Sequence, residues 1–327
     1  LKMEREKFSS RLGFILISAG CAIGIGNVWR FPYMAGNSSG GIFVLMYLFF
    51  LVVMGVPILT MEFAVGRASR KSAAKACQKL EKPGQKWHLH GIIAVAGNYI
   101  LMMFYTVVTG WMFHYFYLMA SGRFEITETP EIVEAVFGEM IGSPQTMAFW
   151  MVIVVVLGFF ICSLGLKKGV EKTTKWMMIA LLAIMLILAM RSIILPGGTD
   201  GLAFYLVPNV ERMQEIGVGH VLVSAMNQSF FTLGLGIGTM AIFGSYLDKE
   251  RTLIGEAVTI SALDTFVAIV SGLIIFPACF AYGVSPDSGP KLIFVTLPNI
   301  FHSMPGGRVW GSLFFVFMAF AAFSTII

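Results

Sequence analysis

Two acidic residues, Glu62 and Asp264, lie inside long apolar stretches of the 327-residue sequence. An ionisable group within a membrane span costs on the order of 2.5 to 3.5 kcal/mol to insert, so it is a functional candidate by default. At Asp264 a carboxylate could coordinate a cation and neutralise its charge. For Glu62, which follows Pro57 late in an apolar stretch, a structural role as an acceptor of backbone N–H groups explains the residue equally well.

Two glycine-rich segments also interrupt apolar stretches, AGCAIGIGN at 19–27 and FFTLGLGIG at 230–238. Each glycine costs a helix about 1 kcal/mol relative to alanine. Close packing of small residues would explain either segment alone. Because they fall in the first and the sixth apolar stretch, they instead favour paired discontinuous helices of an inverted repeat, with a binding site between them.

Breaking a helix inside a membrane frees backbone N–H and C=O groups that lipid cannot satisfy. Half-helix N-termini favour a carboxylate, and freed carbonyls favour cations. Asn27 and Thr232 add neutral oxygens beside the two breaks. The pattern predicts a site for an amino-acid zwitterion with small cations such as sodium beside it.

Other chemistries find little support in the sequence. The four cysteines, Cys21, Cys77, Cys162 and Cys279, form no metal-binding pattern and are interpreted as small hydrophobic residues. None of the five histidines has an acidic partner by sequence spacing, and the apolar stretches hold no nucleophile–base pair. An enzyme is therefore not predicted.

The composition indicates that lipid is the solvent for these segments. Hydrophobic residues make up 57% of the chain and charged residues 13%, with a mean hydropathy of +0.80, whereas a soluble domain carries about 25% charge. A helical span needs roughly 20 mostly apolar residues. Eight candidates meet this criterion, at 12–35, 42–65, 90–119, 147–166, 176–195, 219–243, 257–283 and from 310 onward.

The charges of the connecting segments alternate as the positive-inside rule requires. Seven basic residues separate the second and third candidates, Arg67, Arg70, Lys71, Lys75, Lys79, Lys82 and Lys86. The next connection carries five glutamates, Glu125, Glu128, Glu131, Glu134 and Glu139. Four lysines then precede the fifth candidate, Lys167, Lys168, Lys172 and Lys175. We therefore expect a multi-pass protein of the plasma (inner) membrane with a cytoplasmic N-terminus. Topology explains the basic residues, so nucleic-acid binding is not expected.

Several motifs resemble the signature of the neurotransmitter:sodium symporters. They are Arg11-Leu12-Gly13, GIGNVWRFP at 24–32, Gly55-Val56-Pro57, EFAVGR at 62–67, SFFTL at 229–233, Gly244-Ser245-Tyr246 and FVTLP at 294–298. The resemblance covers essentially the whole chain. It implies an all-α integral membrane protein of the 5+5 inverted-repeat type with discontinuous helices 1 and 6. The chain would form one transporter domain, 1–327, with a first repeat at about 10–196 and an incomplete second at about 218–327. Because the last apolar stretch has no polar flank, we expect the chain to stop within helix 8.

The same resemblance implies sodium-coupled uptake of an amino acid by alternating access. A receptor or sensor that binds but does not transport is the alternative. A first sodium site would take the Ala22 carbonyl, Asn27, Thr232, Asp264 and the substrate carboxylate. A second would take carbonyls of Gly20, Ile23 and Ala321 with the hydroxyls of Ser324 and Thr325.

The resemblance also assigns substrate and gate residues. The substrate carboxylate would bind the N–H groups of Ile25 and Gly26 and the Tyr105 hydroxyl, and the ammonium would meet carbonyls of Ala22, Phe231 and Thr232. The rest of the implied substrate pocket comprises Leu101, Gly234, Ile237 and Thr325. Tyr105 and Phe231 would form the lid, with Arg30 outside it. Arg5, Ser245 and Tyr246 resemble an inner gate whose acidic partner would follow Ile327.

Three departures from the family pattern bear on selectivity. Gly24 stands where monoamine carriers have an aspartate, which favours an amino acid as substrate. Gly234 replaces a serine and leaves room for tryptophan, tyrosine, phenylalanine or leucine. Asp264 replaces a common asparagine. Chloride-dependent members hold the anion near the positions of Tyr47, Gln228 and Thr232 together with a serine, and Ala268 replaces that serine. A built-in carboxylate predicts transport without chloride.

Overall fold

The computed structural model describes residues 8, 10–124, 130–248, 250–283, 291–303 and 305–327. These residues form helices and no β-strand, apart from an isolated bridge between Gly40 and Pro208. The prediction of an all-α protein is confirmed.

Within the described ranges, six helices are long and apolar enough to cross a membrane. They are the second span Gly41–Ser69, the third span His88–Ser121, the fourth span Pro144–Ser163, the fifth span Leu166–Ile193, the seventh span Leu253–Ala281 and the eighth span Gly307–Ile326. The first span is a bent pair, Arg11–Ala22 and Gly26–Asn37, whose halves meet at 56°. Counting that pair as one gives seven.

The sixth candidate, 219–243, is not one continuous helix. It consists of Val218–Thr232 and Thr239–Gly244, separated by residues 233–238. Neither half is long enough to span a membrane alone. We call the two halves together the sixth span.

The fifth span begins ten residues before its predicted start at 176. The preceding helix ends at Ser163, and Gly165, with φ of 82°, makes the turn. Lys167, Lys168 and Lys172 therefore lie on helical turns and not in a loop, with their side chains exposed. Long lysine side chains can lie on a helix end and still carry their charge to water.

Shorter helices connect the spans: Ala73–Leu80, Pro130–Gly142, Gly198–Leu206, Val210–Ile216, and Leu292–Thr296 followed directly by Leu297–Ser303. Helix ends coincide with capping residues. The Ser10 and Ser143 hydroxyls accept first-turn N–H groups of the first and fourth spans, and Gly122 ends the third span in the left-handed conformation.

The seventh span is buried along most of its length, whereas the fourth span exposes most of its surface. Phe294, from the FVTLP motif, is fully buried among aromatic rings of several elements. Its ring centroid lies 5.0 Å from that of Tyr115, 5.5 Å from Phe137, 5.7 Å from Trp111 and 6.3 Å from Trp29. This cluster packs the segment before the eighth span against the third span and the second half of the first.

Candidate substrate and cation sites

The first span is interrupted at residues 23–25, which we call the first break. The helix ends at Ala22, Ile23 is extended with φ of −69° and ψ of 101°, and helical structure resumes at Gly26. A Cβ atom on Gly24 would lie 2.6 Å from Thr325 Oγ1 and 3.2 Å from Tyr105 Oη. One on Gly26 would lie 2.8 Å from Phe231 Cε1. Glycine is required here because side chains of other spans approach the backbone closely.

The sixth span is interrupted at residues 233–238, the second break. Its three glycines, Gly234, Gly236 and Gly238, have φ angles of 58°, 87° and 76°, which favour glycine. The Gly236 N–H donates to Glu62 Oε1 at 2.6 Å. Asn98 Nδ2 donates to the Ile237 carbonyl at 2.7 Å. The second break is thus held by side chains of the second and third spans.

Asn27, Thr232 and Asp264 form a buried polar group, the Asp264 cluster. Asn27 Nδ2 donates to Asp264 Oδ1 at 2.8 Å and to Thr232 Oγ1 at 2.9 Å. The Thr232 hydroxyl donates to Asp264 Oδ2 at 2.7 Å. Asn27 Oδ1 accepts from the Gly24 N–H at 3.2 Å, so the cluster is tied to the first break. All three side chains are at most 1% exposed.

A second polar group surrounds the hydroxyl of Ser324, which reaches the backbone before and within the first break. Ser324 Oγ lies 2.7 Å from the Gly20 carbonyl oxygen, 3.0 Å from that of Ala321 and 3.3 Å from that of Ile23. The Thr325 hydroxyl lies 3.5 Å from the Ala321 carbonyl. We call this the Ser324 cluster.

Apart from the Asn27 amide nitrogen, both clusters present oxygen atoms with little total charge, which suit a hard monovalent cation. The Asp264 cluster contains one carboxylate, and the Ser324 cluster contains only carbonyls and hydroxyls. Among the described residues, no three His, Cys, Asp or Glu side chains come together as a transition-metal site would require.

A central cavity of about 950 Å³ borders both breaks and extends from Arg30 to Phe8, Ser72 and Tyr246. Seven of the residues assigned to the substrate line it: Ala22, Leu101, Tyr105, Phe231, Gly234, Ile237 and Thr325. Ile25 and Gly26 line a smaller cavity of about 260 Å³, which Arg30, Tyr105 and Phe231 also border. Thr232 points instead into the Asp264 cluster.

Arg30 and Phe231 lie between the two cavities. The Arg30 guanidinium carbon is 4.3 Å from the centre of the Phe231 ring. Arg30 Nη1 donates to Gln228 Oε1 at 2.8 Å, and Gln228 Nε2 donates to the Gly26 carbonyl at 3.1 Å. Gln228 therefore ties Arg30 to the backbone just after the first break.

The proposed inner gate is described only in part. The Tyr246 ring packs edge-on against Phe8, with centroids 5.2 Å apart. Arg70 Nη1 donates to the Ser245 carbonyl at 3.1 Å. Arg5 lies outside the described residues.

Two polar contacts of the structure were not predicted from the sequence, and one prediction about polar contacts is wrong. The first unpredicted contact is that of Asn98, whose only sequence signal is a polar side chain in an apolar stretch. Arg11 and Glu256 form an ion pair at 3.0 Å that joins the base of the first span to the seventh. The prediction that no histidine has an acidic partner is wrong, because Glu81 Oε1 lies 3.1 Å from His88 Nδ1. The turn at 82–87 folds back and brings together residues seven positions apart.

Comparison with known proteins places this geometry in context. The family model for the sodium:neurotransmitter symporter family matches residues 5–135 and 131–327. A sodium-dependent transporter of Bacillus subtilis is 35% identical over 320 residues, which cover 98% of this chain and 69% of that protein. One from Haemophilus influenzae is 31% identical over 332 residues, covering 99% and 72%.

A solved structure is similar over the same region. The crystal structure of MhsT in complex with L-phenylalanine superposes with a TM-score of 0.89 at 38% identity, covering 99% of this chain and 72% of that one. Members of this family are membrane transporters and not enzymes. With its family model matched from residue 5 to residue 327, the chain belongs to the sodium:neurotransmitter symporter family.

Proposed function

We propose that the protein takes up a hydrophobic or aromatic amino acid together with sodium by alternating access. One observation carries the proposal: a single broken backbone segment, residues 20–27, contributes to the Asp264 cluster, the Ser324 cluster and the central cavity. An ion that orders this segment therefore also orders the wall of the cavity. Such sharing is what couples ion binding to substrate binding.

For the substrate, we assign the carboxylate to the N–H groups of Ile25 and Gly26 and to the Tyr105 hydroxyl. The ammonium then faces carbonyls of Ala22, Phe231 and Thr232. The side chain extends between Leu101, Gly234, Ile237 and Thr325. The missing side chain at Gly234, in the wall of the central cavity, favours a large apolar substrate. The phenylalanine in the similar MhsT structure supports this class.

For the ions, we assign two sodium sites. The first uses the Ala22 carbonyl, Asn27, Thr232, Asp264 and the substrate carboxylate. The second uses Gly20, Ile23, Ala321, Ser324 and Thr325. At 100 mV each inward charge contributes about 2.3 kcal/mol, and a tenfold sodium gradient adds about 1.4 kcal/mol per ion. Two sodium ions would supply about 7 kcal/mol, enough to concentrate a neutral amino acid on the order of 10⁵-fold.

Chloride is not required in this mechanism. Asp264 supplies a fixed negative charge beside the first sodium site, whereas Ala268 offers no hydrogen-bond donor. The neighbouring Gln228 side chain is already bonded to Arg30 and Gly26. The Tyr47 hydroxyl lies 3.4 Å from Thr265 Oγ1. These contacts occupy hydrogen-bond donors that an anion would otherwise use.

The architecture follows the same proposal. Residues 1–327 form one transporter domain, with a first repeat at about 10–196 and a second at about 218–327 whose described part ends in the eighth helix. The N-terminus and the basic connection around Lys71–Lys86 face the cytoplasm, because positive charges remain on that side.

The test is uptake of labelled phenylalanine, tyrosine, tryptophan and leucine into proteoliposomes that hold the full-length protein. Sodium is compared with potassium, with gluconate or chloride as the only anion. Uptake that needs sodium and is equal in both anions is expected. Binding without uptake would identify a receptor instead of a carrier. A chloride requirement would overturn the anion assignment, and failure of all four amino acids would overturn the substrate class.

A further inference from the structure

Asn98, on the third span, contributes a polar side chain to the wall of the central cavity. Its Nδ2 donates to two backbone carbonyls, Ile237 at 2.7 Å and Ala94 at 3.0 Å. A carbonyl can only accept, so these two partners fix which end of the amide is the nitrogen. Oδ1 therefore faces away from both. It accepts no hydrogen bond from any residue in the ranges that the structure describes.

The position of Asn98 relative to the proposed carboxylate site is set by helix geometry. Asn98, Leu101 and Tyr105 are spaced by three and four residues, so they share one face of the third span. Seven residues correspond to about two turns, or ~10 Å along the axis. With Tyr105 assigned to the substrate carboxylate, an aromatic side chain that extends past Leu101 would end near Asn98.

The residues next to Asn98 along its helix face and at its hydrogen bond to the second break are apolar. Val95, Leu101 and Ile237 line the same cavity. A substrate that covers the Asn98 oxygen without donating to it removes water and leaves an acceptor unpaired, at a cost in affinity. A substrate with a donor at that place avoids the cost. Sites built around a hydrogen-bonding group discriminate in this way far more strongly than apolar pockets discriminate by size.

We propose that Asn98 Oδ1 selects, among aromatic amino acids, those with a hydrogen-bond donor at the far end of the ring, a phenol or an indole N–H. This inference rests on the proposed function, because it uses the same cavity. It ranks tyrosine and tryptophan above phenylalanine and leucine. Asn98 also holds the second break through Ile237, so its recognition role must be separated from that structural role.

The experiment is sodium-dependent competition against a labelled amino acid in the unmodified protein. Three ligands are compared: tyrosine, phenylalanine, and 4-methylphenylalanine, which matches the size of tyrosine but has no donor. We expect tyrosine to bind about tenfold or more tightly than both others. Phenylalanine or 4-methylphenylalanine binding as tightly as tyrosine would overturn the inference.

Two variants separate recognition from structure. Asn98→Asp loses the donor to Ile237 but keeps an acceptor, so the preference for tyrosine should persist even if all affinities fall. Asn98→Leu loses both, so the ratio of tyrosine to phenylalanine affinity should fall to about one. Loss of the preference in Asn98→Asp, or its persistence in Asn98→Leu, would contradict the proposal. Should Asn98→Leu bind nothing, the unmodified protein and Asn98→Asp still decide.

Failure of this inference is distinguishable from failure of the proposed function. Sodium-dependent binding of phenylalanine without any preference for tyrosine removes only the role of Asn98. Absence of sodium-dependent binding for all three ligands removes the proposed function itself.

Discussion

The first and second breaks both use glycines at alternate positions, yet for different physical reasons. Gly24 in the first break and Gly26 directly after it do not have positive φ, and both are crowded by side chains of other spans. In the second break Gly234 and Gly236 have positive φ, and a Cβ on Gly236 would meet nothing within 4 Å. The first break is a place of close approach. The second is a place of unusual backbone conformation, with close approach added at Gly238, where a Cβ would lie 2.9 Å from Ala73 Cβ.

The two breaks also differ in what satisfies their freed backbone groups. Around the first break the partners are the Asp264 and Ser324 clusters, which we assign to sodium. At the second break the partners are Glu62 and Asn98, which need no ion. The comparison suggests that the first break responds to sodium, whereas the second is fixed by the protein and shapes the cavity.

The largest expected effect comes from the carboxylates that serve the two breaks. Asp264→Asn removes the charge proposed to face sodium, so the sodium concentration for half-maximal substrate binding should rise at least tenfold, and chloride should restore part of the loss. Glu62→Gln keeps an oxygen that can accept from the Gly236 N–H, and it should change that concentration by less than about threefold. Titration of sodium against labelled-substrate binding measures both. Equal damage from the two variants would remove the distinction between the breaks.

The crowding of Gly24 in the first break predicts the second-largest effect. Gly24→Ala would place a Cβ 2.6 Å from Thr325 Oγ1. Overpacking of this kind costs about 1 to 3 kcal/mol, so substrate affinity should fall about 5- to 150-fold if the cost falls on the binding-competent state. Gly219→Ala is the control, because a Cβ there meets nothing within 4 Å and its φ is not positive. Affinity of the Gly24→Ala variant within twofold of the unmodified protein would refute the crowding argument.

The conformational reading of the second break predicts a smaller effect with a distinctive order. Gly236, with φ of 87°, has space for a side chain but an unsuitable backbone for one. Gly236→Ala should lower stability by about 1 to 2 kcal/mol, and Gly236→Asn should lower it less, because asparagine adopts left-handed conformations more readily. Thermal unfolding of the purified protein measures the order. At Gly24 the order should reverse, since the larger asparagine clashes more.

Much of the architecture was predictable because membrane spans are recognisable as long apolar stretches of the sequence. The two breaks were visible as glycine clusters, and the proximity of Asn27, Thr232 and Asp264 was implied by the family resemblance. The start of the fifth span was not predicted because Lys167 and Lys168 lower the local hydropathy. Lysine nevertheless has a high helix propensity.

The contacts that distinguish the two breaks could not be read from the sequence. Nothing in the spacing of Glu62 and Gly236, 174 residues apart, indicates a hydrogen bond. The sequence also does not distinguish a glycine that is required by close packing from one that is required by a positive φ. Asn98 could have been noticed as a polar residue in an apolar helix, but its partner is a backbone carbonyl and leaves no sequence signal.

The smallest expected effect lies outside both breaks, where the third span begins. The Glu81 carboxylate accepts from the His88 backbone N–H at 2.9 Å and lies 3.1 Å from the His88 ring. The backbone bond first, and then the ring, lowers the pKa of Glu81 below its ordinary value of 4.5. A carboxyl with a lowered folded pKa stabilises the protein fully above its unfolded value and loses that contribution as pH falls through the folded one.

The contribution of Glu81 to thermal stability should therefore stay constant between neutral pH and about pH 5. It should be lost below about pH 4.5. Glu81→Gln should flatten that acid-dependent part of the stability profile without altering the sodium dependence of substrate binding. The measurement is the melting temperature of the purified protein across this pH range, with Lys82→Gln, a neighbouring exposed change, as control. A shift in the sodium dependence of Glu81→Gln would show that the loop before the third span acts on the first break. The sodium response would then not be confined to the first break.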